Sequence, residues 1–535
     1  MITNKFQKKT FDAVADALPF AIDPSKITID HGLSFSISPI KVHDYAAGVM
    51  AAFGSVVEHI GTVRGLPSQT MKLNRRRSGL LLNGIQLHYL NGYNTILDTW
   101  PVSADNGMYR AKDGRYVSMI GLHPHLRDAL LKYFDAASNP QAIQRAVEKK
   151  TAQQIEDEVA KINLPLGIVR TREEWLSHPQ GKATAERSLI SFEQTGSSSK
   201  RRLGMAKYRP LEGVRVVELS YLVAGPTMGR LLAEQGAEVI RIASPMLDWQ
   251  TPLWLESSWG KKAIALDIKS RSGKKRLIEL LAGADVLASS QRADSFARLG
   301  LDQDALREIN PNLIFSGITY CAPGTPWENR RGLEQIAQAV SGLADVHSKG
   351  EAEPNYISVL VNDYLTGYLG AIGAVAALAE REEKGGYWKV GASLTQTSTL
   401  ATELIEPRDA EKYAPVNMDD LVEHAIDQVT PWGTFTRLAP AVEFSYTPSM
   451  ALLPTNWPGT YPDTTGWTAP KTEEPPQVPH YPSKLARNGG IRNHVVSYGI
   501  VDRADGRGGF SLASKQLLEY VEAQRSQEIV EPQLV

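Results

Sequence analysis

From Leu211 to Ile318 the chain switches back and forth between short apolar runs and longer amphipathic stretches, a rhythm that few folds admit. Residues 214–220, 237–242, 262–267, 284–288 and 312–318 read as strands, and 225–235, 272–282 and 302–309 as helices between them. Strands separated by helices cannot pair as hairpins, so they cross over and lie parallel. The expected core is therefore α/β, a Rossmann-like doubly wound parallel sheet whose ligand site lies off the carboxyl ends of the strands. The first strand–turn–helix argues against a nicotinamide enzyme. Its turn reads Val223-Ala-Gly-Pro-Thr-Met-Gly rather than Gly-x-Gly-x-x-Gly, and Pro226 removes a backbone N–H that a pyrophosphate would use.

A second stretch, Ser358 to Leu378, concentrates the candidate chemistry. Val359, Leu360 and Val361 read as the end of a buried strand, and Asn362 and Asp363 as N-caps of a helix running to about Glu383. Lys384-Gly-Gly386 supplies the stop. Gly367, Gly370 and Gly373 fall three apart and leave one helix face bare for backbone or ligand. A carboxylate at the positive end of such a helix is expected to stay ionised. From these residues alone, Asp363 is either a plain helix cap or a reactive group.

Composition narrows the classes. The 535 residues carry a net charge of -1, so nothing favours a polyanionic partner. The runs Arg75-Arg76-Arg77 and Lys200-Arg201-Arg202 are short enough to read as solvated faces or linkers rather than a nucleic-acid site. One cysteine, Cys321, excludes a disulfide framework. His31, His59, His88, His123 and His125 lack metal-ligand spacing, and no serine sits in a nucleophile elbow. The polar N-terminus and the short apolar run Ala371 to Ala379 predict neither a signal peptide nor a membrane span, hence a cytoplasmic protein.

The first 200 residues read differently. A small-residue helix covers 45–60 and a second helix 79–90; a hairpin turn at Asp113-Gly114 leads into a strand, and two or three helices fill 123–162. Residues 164–170 read as a strand, 173–178 as a short helix, and 195–204 as a linker. Beyond Glu406 the chain looks irregular, with a Pro- and Trp-rich stretch at 445–483 and a tail with one helical segment at 514–524.

The segment Pro210-Leu-Glu-Gly-Val-Arg-Val-Val-Glu-Leu-Ser-Tyr-Leu-Val-Ala-Gly-Pro226 resembles the opening of the class III CoA-transferases, the carnitine dehydratase/bile-acid-inducible (CaiB/BaiF) family that includes formyl-CoA transferase. The likeness continues in order through 231–241, 260–270, Ala284-Asp-Val-Leu, Arg298-Leu-Gly, 309–314 and 338–343 to the Asp363 segment. Residues 113–117, 164–170, Glu174-Trp-Leu and His178-Pro-Gln resemble the family's small α+β domain, which normally follows the Asp-bearing helix, and Pro440 to Pro448 its final return segment. Asp44-Tyr-Ala-Ala-Gly48 echoes Asp363-Tyr-Leu-Thr-Gly367, making Asp44 a candidate relic of a second site. The resemblance implies a rearranged member: 1–203 small-domain-like with a partial repeat, 204–483 the Rossmann-like core and return segment, 484–535 a tail.

What the resemblance implies for function is CoA transfer between an acyl-CoA and a carboxylic acid. Asp363 would be the nucleophile, forming a mixed aspartyl anhydride; the CoA thioester is substrate, with no bound prosthetic group and no metal. Val223 and Ala224 would line the CoA channel, Leu266 and Lys269 the adenine end, and Arg298 the phosphates. The partners expected are small molecules, in a homodimer or a fused pseudo-dimer, with no nucleic acid or membrane. Ala243 and Ser289-Ser-Gln-Arg-Ala-Asp294 depart from the family pattern and put the CoA grip at Ser290 and Gln291 in question. Two alternatives follow. An α-methylacyl-CoA racemase would need a histidine where Gly332-Leu333-Glu334 stands, and a non-catalytic CoA-binding protein would need no intact Asp363.

Overall fold

The computed structural model describes residues 2–36, 38–95, 104–247, 250–349, 351–407, 413–468 and 483–491. The alternation after Leu211 builds a seven-stranded sheet. Its order is Lys261–Ala265, Glu238–Ala243, Arg215–Leu219, Val286–Ser289, Ile314–Thr319, Tyr387–Ser393, Ser191–Thr195. The first six strands are parallel and the last antiparallel. Along the chain the parallel set runs third, second, first, fourth, fifth, sixth, the order of doubly wound sheets. Val216, Val217, Val286, Leu287 and Ile314 are all buried, because helices cover both faces. That is why these strands read as apolar runs without polar alternation. Each such side chain contributes about 1.5–3 kcal/mol on burial.

Two helices set the position of Asp363. Helix Ala224–Glu234 follows the first strand of the parallel set, and helix Val361–Lys384 leads into the last. They pack closely because of the glycine stripe. A Cβ at Gly367 would lie 2.7 Å from the Ala224 carbonyl oxygen, one at Gly370 2.9 Å from the Met228 sulfur, and one at Gly373 2.3 Å from Val390. The bare face is thus occupied by protein, not kept for a ligand. The strand expected to end at Val361 is absent: the helix itself begins at Val361, and Asp363 lies inside its first turn rather than at the cap. Gly385 and Gly386 end it in the left-handed region.

The N-terminal third is more regular than its sequence suggests. Helix Lys5–Ala15 precedes everything expected there, and a small sheet joins it. In that sheet Ile27–Asp30 runs parallel to Met71–Asn74, with helix Val42–Val63 between them, and Val442–Phe444 adds antiparallel. Among the described residues Val42–Val63 is the one helix long and apolar enough to cross a membrane, and the core encloses most of it. The helix expected over 79–90 is instead a short α-helix, Arg75–Leu80, a 3-10 segment, Leu81–Gln86, and a strand at Tyr89.

A smaller α+β unit follows. Strands Asn106–Arg110, Tyr116–Ile120 and Leu166–Ile168 pair antiparallel, with Gly114 at positive φ in the hairpin turn. Helices Pro124–Phe134, Pro140–Val147 and Ala152–Lys161 cover it around Val117, Leu126, Ile143 and Ile155. This unit docks on helix Glu334–Val340, where the Arg170 N–H donates to the Ala339 carbonyl and Gly167 leaves room for Val340. Beyond Glu406, where irregular chain was expected, strands Ala425–Thr430 and Gly433–Leu438 form a hairpin that pairs with Tyr89–Leu90. The expected boundary at 203 falls within shared structure, since Ser191–Thr195 closes the central sheet. The helical segment expected at 514–524 lies outside the described residues.

Candidate functional site

Asp363 lies one turn from Gly367, where the Asp363 helix meets Ala224. Val361, Asn362 and Tyr364 around it are buried, whereas Asp363 keeps partial access to solvent. No side chain of its own segment caps this helix. The cap comes from Glu334, at the start of the helix on which the small unit docks. Glu334 Oε2 accepts the Asp363 N–H at 2.6 Å, and Oε1 accepts from Asn362 Nδ2 at 3.0 Å and Gln338 Nε2 at 2.8 Å. Gln338 is itself fixed, accepting the Ile357 N–H at 2.9 Å.

Two carboxyls, Glu334 fully buried and Asp363 partly so, therefore share one helix entrance. Burial pushes Asp363 up to about 7. Burial also pushes Glu334 up, to about 8, with the Asp363 charge adding to it and the three N–H donors opposing. The pair loses its protons in two steps near neutrality, and between the two steps it carries one negative charge. The helix end, expected to hold Asp363 ionised, is thus opposed by loss of solvent. Glu334 is the candidate residue that sequence reasoning missed. Within Gly332-Leu333-Glu334 the racemase reading looks to Leu333, and the informative residue is its neighbour.

A remote part of the chain holds the residues on either side of Asp363. The Leu360 N–H donates to the Leu82 carbonyl at 2.9 Å, and the Ile85 N–H donates to the Tyr364 hydroxyl at 3.1 Å. Of the other candidates, Val223 and Ala224 are buried at the head of helix Ala224–Glu234, against the Asp363 helix. Leu266 is buried just past Lys261–Ala265, packed with Val217, Leu219 and Leu287. Lys269 is exposed. Arg298, half-exposed, pairs with Asp294 on its own short helix. The apolar three are thus built into the protein, whereas the two cations stand at the surface. Where Gln291 departs from the family pattern, Ser290 Oγ accepts the Tyr221 N–H at 3.0 Å and holds the turn before Val223.

Asp44 has different company. Arg75 Nε and Nη2 reach its two oxygens at 2.7 and 2.8 Å, and Gln7 Nε2 donates to Oδ1 at 2.9 Å. Arg76 pairs with Asp420, and Arg77, fully buried, with Glu443 at 2.6 Å. The Arg75–Arg77 run is therefore an internal clamp, not a solvated face. Its three partners are far away in sequence, so composition could not reveal it. Cys321 is buried with its thiol pushed up to about 12 by burial, too high for a thiolate nucleophile. Among the described residues no group of three His, Cys, Asp or Glu side chains could hold a metal.

Comparison with known proteins adds the following. Residues 211–420 match CoA-transferase family III. An acyl-CoA transferase of Gibberella moniliformis is 31% identical over 325 residues, 56% of this chain and 56% of that protein. The beta subunit of a succinyl-CoA–L-malate CoA-transferase from Chloroflexus aurantiacus is 30% identical over 211 residues, 37% of this chain and 52% of that one. A crystal structure of a CaiB/BaiF family protein from Brucella suis is 25% identical, covers 43% of this chain and 65% of that one, and aligns with a TM-score of 0.35. The chain spans about half the length of these two curated relatives.

Proposed function

Because residues 211–420 match CoA-transferase family III, we propose that this protein moves CoA from an acyl-CoA to a carboxylic acid through Asp363. The observation that carries the proposal is the partly accessible Asp363 carboxyl, coupled to Glu334, at the head of a helix otherwise enclosed in protein. In the proposed cycle an Asp363 oxygen attacks the thioester carbonyl, the C–S bond breaks, and CoA leaves as thiolate with an anhydride on Asp363. For the donor acid to depart, the thiolate must attack the aspartyl carbonyl, which releases the acid and leaves an aspartyl-CoA thioester. The acceptor carboxylate then attacks that thioester to form a second anhydride. The thiolate finally attacks the acceptor's acyl carbon, giving the new acyl-CoA and free Asp363.

Glu334 has a defined place in this scheme. Asp363 must be ionised to attack, and the proton that the pair retains between its two steps would then sit on Glu334. The site thus holds a single negative charge, a smaller barrier to a thiolate or an incoming carboxylate than two would be. Val223 and Ala224 are proposed to line the path of CoA, with Leu266, Lys269 and Arg298 serving its nucleotide end. The test is intact mass after incubation with a panel of acyl-CoAs, half of each sample treated with hydroxylamine. An adduct that hydroxylamine removes, present in the native protein and absent from Asp363→Ala, is expected. Absence of any adduct with every donor would overturn the proposal.

One observation favours a second reading. Two carboxyls titrating near neutrality could pass a proton to and from an acyl α-carbon, as a racemase must, although Leu333 stands where that histidine is expected. Incorporation of deuterium from D2O into the α-position of a 2-methylacyl-CoA, without CoA exchange, would select it.

A further inference from the structure

The N-terminal third repeats the architecture of the Asp363 site. One constant shift in numbering carries Val42, Asp44, Tyr45, Gly48, Ala52, Gly54 and Val56 onto Val361, Asp363, Tyr364, Gly367, Ala371, Gly373 and Val375, identical residues in each pair. The same shift carries Lys41 onto Leu360, which precede their helices with φ and ψ of -84° and 61° against -85° and 61°. It also carries Asn74 onto Ser393, each ending its strand and capping the helix that follows. The surroundings match as well. A Cβ at Gly48 would meet the Gln7 carbonyl oxygen and Thr10, as one at Gly367 would meet the Ala224 carbonyl oxygen and Thr227. Each following strand has a parallel neighbour on one side and an antiparallel one on the other.

The two copies roof each other. Lys41 N–H donates to the Leu404 carbonyl at 2.8 Å and the Tyr45 hydroxyl to the Thr397 carbonyl at 2.9 Å, both in the second copy's descending segment. Their counterparts are the bonds that Leu360 and Tyr364 make to Leu82 and Ile85, in the first copy's descending segment. The chemistry at the two aspartates differs. Gln7 and Arg75, which grip Asp44, take the positions of Ala224 and Leu394, neither of which carries a polar side chain.

We infer that Asp44 marks a second, silenced copy of the Asp363 site, locked by Arg75 and Gln7, and that the first copy is retained because its segment Leu82–Ile85 completes the live site from within the same chain. Asp44 is itself buried, and it borders a cavity of about 720 Å3 together with its partner Arg75 and with Lys41, His31 and Glu406. A bidentate guanidinium occupies both oxygens of the carboxylate, so neither is free to add to a carbodiimide.

The inference goes beyond the transferase reading, and its test uses no CoA, so the two can fail separately. The full-length protein is treated with a water-soluble carbodiimide and glycine ethyl ester near pH 6, and labelled carboxyls are located by peptide mass. In the native protein Asp363 is expected to label and Asp44 to stay unlabelled. In Gln7→Ala/Arg75→Leu, Asp44 labelling is expected to rise at least tenfold. If that variant does not unfold cooperatively, Arg75→Lys, which keeps the charge but loses the fork, is expected to label Asp44 at an intermediate rate. Labelling of Asp44 in the native protein as fast as Asp363 would overturn the inference. So would an unlabelled Asp44 in whichever of these variants folds.

Discussion

Helices Val42–Val63 and Val361–Lys384 present the same aspartate at the same point of the same helix entry, yet one aspartate is bound in an ion pair and the other coupled to a carboxyl. Backbone position therefore does not decide what an aspartate can do here. The side chains delivered by neighbouring elements decide it. A guanidinium with two hydrogen bonds occupies both oxygens. A buried glutamate raises no such barrier to attack and leaves the aspartate's oxygens open to a substrate. The difference shows how one local structure can be kept for packing in one copy and for chemistry in the other.

The widest separation of the two copies is expected in their loss of chemistry. Asp363→Asn should lower acyl transfer by a factor of about 10³ or more, as removal of a covalent nucleophile does. Asp44→Asn should leave kcat within about twofold. Steady-state kinetics on the two variants measures the contrast, and equal losses would erase it.

Stability should separate the copies the other way. Arg75→Met strands a buried carboxylate, and breaking such a pair costs about 3–5 kcal/mol. Urea unfolding, read as a fall in midpoint, checks it. The glycine pair should behave alike: Gly48→Ala and Gly367→Ala each drive a methyl into a backbone carbonyl 2.7 Å away, at about 1–3 kcal/mol by overpacking. A large inequality between them would argue that the helices are not equivalent.

The pH dependence is a finer probe. Adduct formation should rise with pH through about 7 as Asp363 ionises. In Glu334→Gln that limb should remain, and any further step near 8 should vanish. Both carboxyls titrate higher in the folded protein than in an unfolded chain, so the folded state holds protons more tightly. Their contribution to stability is present in acid and is lost as pH rises through about 7 and 8. Glu334→Gln should therefore flatten the decline of thermal midpoint between pH 5 and 8.5, a smaller change than any above.

Much of this architecture was legible because it rests on local pattern. Strands buried on both faces had to be apolar runs, which is why those near Val216, Ile240 and Ile314 could be read. The Asp363 helix announced itself through its glycines and its Gly-Gly stop. The rest was hidden in long-range contacts. Ala425–Thr430 and Gly433–Leu438 are half-polar strands, and the second of them pairs with the remote Tyr89–Leu90, so no local signal marks that pairing. Asp44 was visible as an echo, but its silencing depends on Gln7 and Arg75 converging from either side. Glu334 escaped because a carboxyl at a helix start reads as an ordinary favourable charge, and only packing against Asn362 and Asp363 gives it a role.

The most direct test of the central claim follows oxygen. If Asp363 passes the acyl group through an anhydride, turnover with an acceptor acid labelled with oxygen-18 in its carboxylate must leave one heavy oxygen in the aspartate. Peptide mass spectrometry is predicted to find it on Asp363 and not on Asp44. Turnover with no heavy oxygen on Asp363, or with the label on Asp44, would contradict the account.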